Sequence, residues 1–379
     1  MRNSVIAIAS LAAGCSFSSN AAKTDSNTQH DGNGSGSGMI DAAVDAPPDG
    51  PNTNLGPAPF TVNVGTLPTA AVALPGSLNT DTSNLCSTSA TWVSSTQPSA
   101  CFIVGTSITS AGGTTTVTGT KPLVLVGTSS ITLTKTLDAS SHRNAAGGPG
   151  ANDASCSFTA TPGPGDGAGG GGGAGGTFMT QGGAGGGGDN NNNTAGGGAS
   201  PPALIAAPLT LRGGCPGQKG GTANSGNPGN GGGAVYLLAG QSITITGITI
   251  NVSGAAGSHG MHFSGGSGAG SGGMLMLYAP TIAATGVTLI SNGGGGASGG
   301  DGADGKDGSD PSMASTAAQG GMGPGGNGGA GGILTTAGTS GTPGVSNEAG
   351  GGGGGGVGYI RSNVVLSGGV ASPLVDIVP

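Results

Sequence analysis

The chain has 379 residues, of which 89 are Gly and 23 are Pro, and only 7% are charged. Gly and Pro together reach the roughly 25–30% that marks low-complexity or fibrous chains, while charge falls far below the usual ~25%. A net charge of −7, with nine scattered Lys and Arg and no basic run, excludes a nucleic-acid-binding surface, and 3% aromatic residues exclude a thick conventional core.

The N-terminus reads as an address. Met1-Arg2-Asn3 carries one Arg, and Ser4 to Ala13 is a short run of apolar and small residues. That run is too short for the roughly 20 residues needed to span a bilayer, so residues 1–14 are expected to be a signal peptide. It ends Leu11-Ala12-Ala13-Gly14-Cys15, which resembles a bacterial lipobox, although Leu11 stands four residues before the Cys. The resemblance implies lipidation at Cys15 and attachment to a membrane through that lipid. Ser16 follows, so the Asp that would imply inner-membrane retention is missing, and an outer-membrane or cell-surface location is expected. Residues 15–58 are rich in Ser, Asn, Asp, Gly and Pro and lack apolar periodicity, which reads as a disordered linker.

The body, 59–379, is expected to be all-β. Val, Ile and Thr suit a pleated surface, and they recur here in a repeated unit. One copy runs Ala234-Val235-Tyr236-Leu237-Leu238-Ala239, then Ile243-Thr244-Ile245-Thr246, Gly247, and Ile248-Thr249-Ile250. A second runs Met274-Leu275-Met276-Leu277-Tyr278, then Ile282-Ala283-Ala284-Thr285, Gly286, and Val287-Thr288-Leu289-Ile290. An earlier copy starts at Leu123, and a degenerate one comprises 357–362 and 364–366. Units of three short strands that cannot bury an apolar face alone predict a right-handed parallel β-helix, or β-solenoid. A β-sandwich with glycine-rich insertions is the alternative. The uneven spacing of the copies predicts that the insertions enter at one corner of successive coils. Side by side, such glycine segments can bond as extended, polyproline-II-like strands; alone, they would be disordered.

Setting Cys15 aside leaves Cys86, Cys101, Cys156 and Cys215. An even number fits two disulfides in an oxidising compartment, with three possible connectivities. The favoured pairs are Cys86–Cys101, closing a short loop around Trp92, and Cys156–Cys215, closing a long glycine-rich excursion. No C-x-x-C spacing supports zinc.

The stretch Leu211-Arg212-Gly213-Gly214-Cys215-Pro216-Gly217, its preceding glycine tract and the later Gly-Gly-x-apolar strands resemble glycine-rich lipoproteins of myxobacteria. The resemblance covers most of the chain after about residue 100 and implies a location and an architecture, not a reaction. The repeats are also similar to those of bacterial surface proteins and adhesins with β-helical stems.

Candidate chemistry is sparse. Asp301, Asp304, Asp307 and Asp310 recur every three residues, and 299–304 matches the opening of a calcium-binding nonapeptide, so weak calcium binding is one expectation and a solvated acidic loop the other. Lys306 stands where that motif needs a large apolar residue. His259 and His262 form an H-x-x-H pair without evident further ligands. Catalysis by paired carboxylates needs acids on rigid elements; in the expected strands only Asp138 qualifies, and Lys121, Lys135 and Arg361 stand alone. No phosphate loop and no G-x-S-x-G elbow occurs. Thr132, Thr134, Thr244 and Thr246 form a ladder that could face ice or a crystalline polysaccharide, interrupted at Ala283. The expectation is a non-enzymatic structural or adhesive lipoprotein of the cell surface, without a cofactor unless calcium, with extracellular polysaccharide or matrix as a partner. The alternative is a carbohydrate-binding or carbohydrate-cleaving β-helix.

Overall fold

The structure is a computed structural model. It describes residues 53–165, 169–189, 196–222 and 224–378. The signal peptide, Cys15, the linker up to residue 52 and the Asn190–Asn193 run lie outside the described residues.

The described chain is all-β. No helix occurs in it, and the repeated strands pair in parallel. Three successive strands form each turn of the chain. The first side of the turn carries the start of β6 (Cys101–Ser110), the start of β8 (Leu123–Leu133), β10 (Ala234–Ala239), β13 (Met274–Tyr278), β16 (Tyr359–Ser362) and β18 (Asp376–Ile377). The second side carries β3 (Val72–Leu74), the ends of β6 and β8, β11 (Ser242–Thr246) and β14 (Thr281–Thr285). The third carries β4 (Ser77–Asn79), β7 (Thr115–Thr118), β9 (Leu137–Asp138), β12 (Thr249–Asn251), β15 (Val287–Ile290) and β17 (Gly369–Ser372). Register is kept from turn to turn: Cys101, Leu123, Val235, Leu275 and Ile360 form one column. A one-residue slip would turn each of these side chains outward, so burial fixes the register.

The interior is a thin aliphatic core. Ile108, Ile131 and Ile243 line it from the second side, and Leu137, Ile250 and Leu289 from the third. The corner between those two sides is made by Gly247 and Gly286, with φ of +63° and +60°. That backbone conformation, not space, requires glycine there, since nothing lies within contact of a Cβ at Gly247.

The first side is buried on both faces, which explains its unbroken apolar strands. Outward-pointing Phe102, Val124, Val126, Tyr236 and Leu238 are covered by a small antiparallel sheet of β1 (Asn54–Leu55), β2 (Val62–Asn63) and β5 (Thr91–Trp92). Trp92 meets Phe102 edge to face, with centroids 5.1 Å apart. Further along, Phe178 and Leu211 join Met274, Met276 and Tyr359 in the same outer cluster. Strand pairing thus begins at Asn54, inside the segment read as linker. The last turn also differs from the expected repeat: 364–366 forms no strand, and β17 supplies the third side instead.

All three glycine-rich excursions, 139–233, 252–273 and 291–358, leave after a third-side strand and return to a first-side strand. They enter at one corner and join in a bundle held by backbone hydrogen bonds. Its centre is 350–356. Gly350, Gly353 and Gly356 donate to Gly170, Gly173 and Gly176, each at 2.9 Å. Gly351 and Gly354 donate to Thr342 and Thr339, and Gly352 and Gly355 to Ala297 and Gly294. The same strand accepts from segments at 183–186, 266–272 and 329–332. Every third residue therefore faces the same neighbour, which is the period of a polyproline-II-type helix with three residues per turn. A Cβ on Gly353 would collide with the Gly183 carbonyl and lie 2.9 Å from Ala184 O, so only glycine allows this approach. Buried backbone amides cannot be left unpaired without cost, and in this lobe the neighbouring strands satisfy them.

Candidate functional site

The densest group of ionisable side chains sits where β9 meets the glycine bundle. Asp138 ends β9, and a turn brings His142 and Arg143 back over it. The 301–310 segment runs antiparallel to 256–262 beside them. Because both segments repeat every three residues, their side chains and amides meet at matched steps. Asp310 Oδ1 accepts from the Ala256 amide at 2.7 Å, Asp307 Oδ1 from the His259 amide at 2.9 Å, and Asp304 Oδ1 from the His262 amide at 3.3 Å.

The side chains complete this staple. Arg143 Nη1 lies 2.6 Å from Asp307 Oδ2, and His259 Nδ1 lies 2.7 Å from Asp307 Oδ1. His142 sits between two carboxylates, with Nε2 3.2 Å from Asp138 and Nδ1 3.6 Å from Asp310. His262 Nδ1 is 3.9 Å from Asp304, in an exposed position.

Hydrogen bonds to Asp138 and Asp310 push the His142 pKa up to about 10 against the opposing effect of burial. For Asp138, burial disfavours the carboxylate, but hydrogen bonds from His142 and Ser140 outweigh it and hold the pKa below the ordinary value. Asp310 behaves alike: burial is outweighed by His142 and by the amides of Ala256 and Arg143. At Asp307, burial is outweighed by the backbone and side chain of His259 and by the charge of Arg143.

This arrangement suits cohesion better than proton transfer. Ser140 Oγ is 3.3 Å from His142 Nε2 and donates to Asp138 at 2.6 Å, which superficially groups Ser, His and Asp. An imidazole held protonated between two carboxylates, however, cannot take the serine proton as a general base must.

Of the four Asp expected as calcium ligands, Asp304, Asp307 and Asp310 share one side of their strand. Asp301 instead accepts the Ala303 amide within its own turn, at 3.1 Å. Residues three apart on such a strand are spaced by roughly 9 Å, whereas calcium gathers 6–8 oxygens at about 2.3–2.6 Å. No group of three or more His, Cys, Asp or Glu placed to hold a metal occurs among the described residues.

The other expected positions are dispersed. Cys15 lies outside the described residues. The disulfides are Cys86–Cys101 and Cys156–Cys215, the pairing favoured from the sequence. Two disulfides fit an extracellular or exported protein, and no helix among the described residues is long and apolar enough to cross a membrane. Thr132 and Thr244 stand in register with Thr109 on the outer face of the second side, where Ala283 follows them. Beside that column runs a second one of Ser107, Ser130, Ser242 and Thr281. Arg361 is buried, with Nη1 on the Pro208 carbonyl and Nε 3.5 Å from Asp376.

His142 and Arg143 were missed as members of the ionic cluster. The spacing of Asp138 and His142 was visible, but nothing local indicates that 301–310 returns to them. The protein-family models, the curated proteins and the solved structures contain no match to this chain.

Proposed function

We propose that the protein is an exported, lipid-anchored and non-enzymatic component of the cell surface: a right-handed parallel β-solenoid carrying a glycine-strand lobe and acting as a structural or adhesive unit. The observation that carries this reading is the lobe itself. Three separate excursions converge from one corner and are held by main-chain bonds, a design that yields a solid body with few reactive side chains. The disulfides support export, and the Cys15 motif with its following linker supports attachment at a distance from the membrane, as in the glycine-rich lipoproteins the chain resembles.

A second reading, carbohydrate binding, is favoured by one feature. The Ser107–Ser130–Ser242–Thr281 column and its Thr neighbour present hydroxyls at the rung spacing of about 4.8 Å on a regular face.

The test is to express the full chain and its Cys15→Ser variant in a bacterial host and follow their location. The wild type is expected in the membrane fraction, acylated, and the variant released as a soluble exported form. Equal release of both would overturn the anchor. Binding of the released domain to insoluble polysaccharides, lost when Thr132 and Thr244 become Val, would favour the carbohydrate reading.

A further inference from the structure

Arg212 lies across the Cys156–Cys215 disulfide. Its Nη2 is 2.9 Å from Cys156 Sγ and 3.4 Å from Cys215 Sγ. Nη1 reaches the Ser155 hydroxyl, Nε faces the Gly213 carbonyl at 3.4 Å, and the guanidinium carbon stands 5.1 Å from the Phe178 ring centre. The side chain is 5% exposed, and its carboxylate partner, Asp153, is 3.6 Å away.

This is a buried cation that is underpaired. Disulfide sulfur is a weak acceptor and carries no charge, so the guanidinium gains little from it. A thiolate at the same place would be a full counter-ion, and a neighbouring Arg favours the thiolate form of cysteine. Opening the bond therefore improves the electrostatics around Arg212. The second disulfide lacks this arrangement: Cys86 Sγ lies against the Thr80 carbonyl oxygen, at 3.7 Å. In both pairs one cysteine is fully buried and the other partly accessible, so access alone does not separate them.

We propose that Cys156–Cys215 is a redox-active disulfide, opened by thiol–disulfide exchange with a dithiol, and that Arg212 activates it. A thiolate of the dithiol attacks the accessible Cys156 Sγ. The Cys156–Cys215 bond breaks, and Cys215 leaves as a thiolate paired with Arg212. The second thiol of the reagent then attacks the mixed disulfide and expels Cys156, which takes up a proton. The protein has gained two electrons, and the dithiol has become a disulfide. A leaving thiol that is more acidic leaves faster, so the guanidinium acts on the rate as well as on the equilibrium. The bond closes the excursion that supplies the 170–176 and 183–186 strands of the glycine lobe. Its opening removes the covalent closure of these strands and leaves the lobe to its hydrogen bonds.

The test uses the folded, oxidised chain, dithiothreitol at limiting concentration and pH 8, and timed alkylation with peptide mass spectrometry to read each disulfide separately. Cys156–Cys215 is expected to open on the order of ten-fold faster than Cys86–Cys101. Arg212→Met should slow its opening by about ten-fold, Arg212→Lys should retain most of the rate, and Asp153→Asn should raise it by removing the competing carboxylate. If Arg212 served only in packing, Arg212→Met would loosen the site and speed the reaction. Equal opening rates in the wild type, or an Arg212→Met variant no slower than wild type, would overturn the proposal. Should Arg212→Met fail to fold, the wild-type ratio and the Asp153→Asn rate decide it.

Discussion

At the scale of single residues, His142 concentrates the electrostatics of the molecule. Its neighbours are Asp138 and Asp310, with Ser140 beside them and the Arg143–Asp307–His259 group adjoining. Its pKa is raised from about 6.5 in the unfolded chain to about 10. The stabilisation from its charge is therefore complete below about pH 6.5 and is lost as pH rises toward 10. Asp138, Asp307 and Asp310 have lowered pKa values, so their contribution is present above the ordinary carboxylate value and is lost as pH falls through their lower folded values. Between these windows the staple holds fully. Replacing Asp310 by Asn removes one of the two carboxylates and turns one of its two amide-accepting oxygens into a donor. The variant should show a lower His142 pKa by NMR titration and a flatter loss of thermal stability between pH 7 and 10. An unchanged His142 titration would refute the arrangement. His142 is half exposed, so solvent screening keeps the energy involved modest.

At the scale of elements, two kinds of cohesion operate, and they respond differently to mutation. The stacked parallel strands are held by apolar burial. Leu275 is fully buried between Val235 and Ile360 of the adjoining turns, so Leu275→Ala should cost about 2–5 kcal/mol. Thr244→Ala, on the outer face of the next side, should cost well under about 1 kcal/mol. Chemical denaturation of the two variants measures the contrast. The glycine lobe has almost no side chains to lose, and its weakness is addition. Gly353→Ala places a methyl group against the Gly183 carbonyl, within a strand enclosed by six neighbouring segments. It should destabilise at least as much as Leu275→Ala, although it adds apolar volume, because backbone cannot move aside as a flexible side chain can. Faster hydrogen exchange at the amides of 170–176 and 350–356 is the expected signature. Unchanged exchange there would mean that the strands are not enclosed.

At the scale of the whole molecule, the corner from which the excursions leave joins two bodies of different chemistry. On one side lies a stack with a narrow aliphatic interior. On the other lies a lattice of main-chain bonds, and the 301–310 staple ties that lattice to β9 through Asp310 and His142. The Asp row is engaged within the protein: Asp304, Asp307 and Asp310 each accept a backbone amide, and the second oxygens of Asp307 and Asp310 meet Arg143 and His142. Calcium would have to displace those partners. Adding calcium or EDTA is therefore expected to leave the melting temperature unchanged within about 1 °C, because an ion that does not bind the native state does not stabilise it. A concentration-dependent rise with calcium would restore the ion-binding reading of Asp301, Asp304, Asp307 and Asp310.

The sequence by itself determined the all-β class, the repeated strand units and the common corner of insertion, and it favoured the observed cysteine pairing among three. Apolar periodicity and glycine punctuation are local signals, and Val235 or Leu275 reports its burial through its immediate neighbours. Tertiary structure decided what the sequence could not rank. The doubly buried first side reads as apolar all round, but only the fold shows that the 54–92 segment and Phe178 cover it. A glycine run reads the same whether solvated or enclosed; partners more than a hundred residues away, such as Gly170 for Gly350, make it a lattice. The period of three in 301–310 was plain in the sequence, yet its meaning lay in a second segment with the same period running the other way. Arg212 and Cys215 are near neighbours in the sequence, but the guanidinium's position across both sulfurs depends on the chain returning from Cys156. Non-local main-chain pairing does not name its partners in the sequence, and for that reason the core was legible, the lobe was legible only as one of two alternatives, and its ionic staple was not.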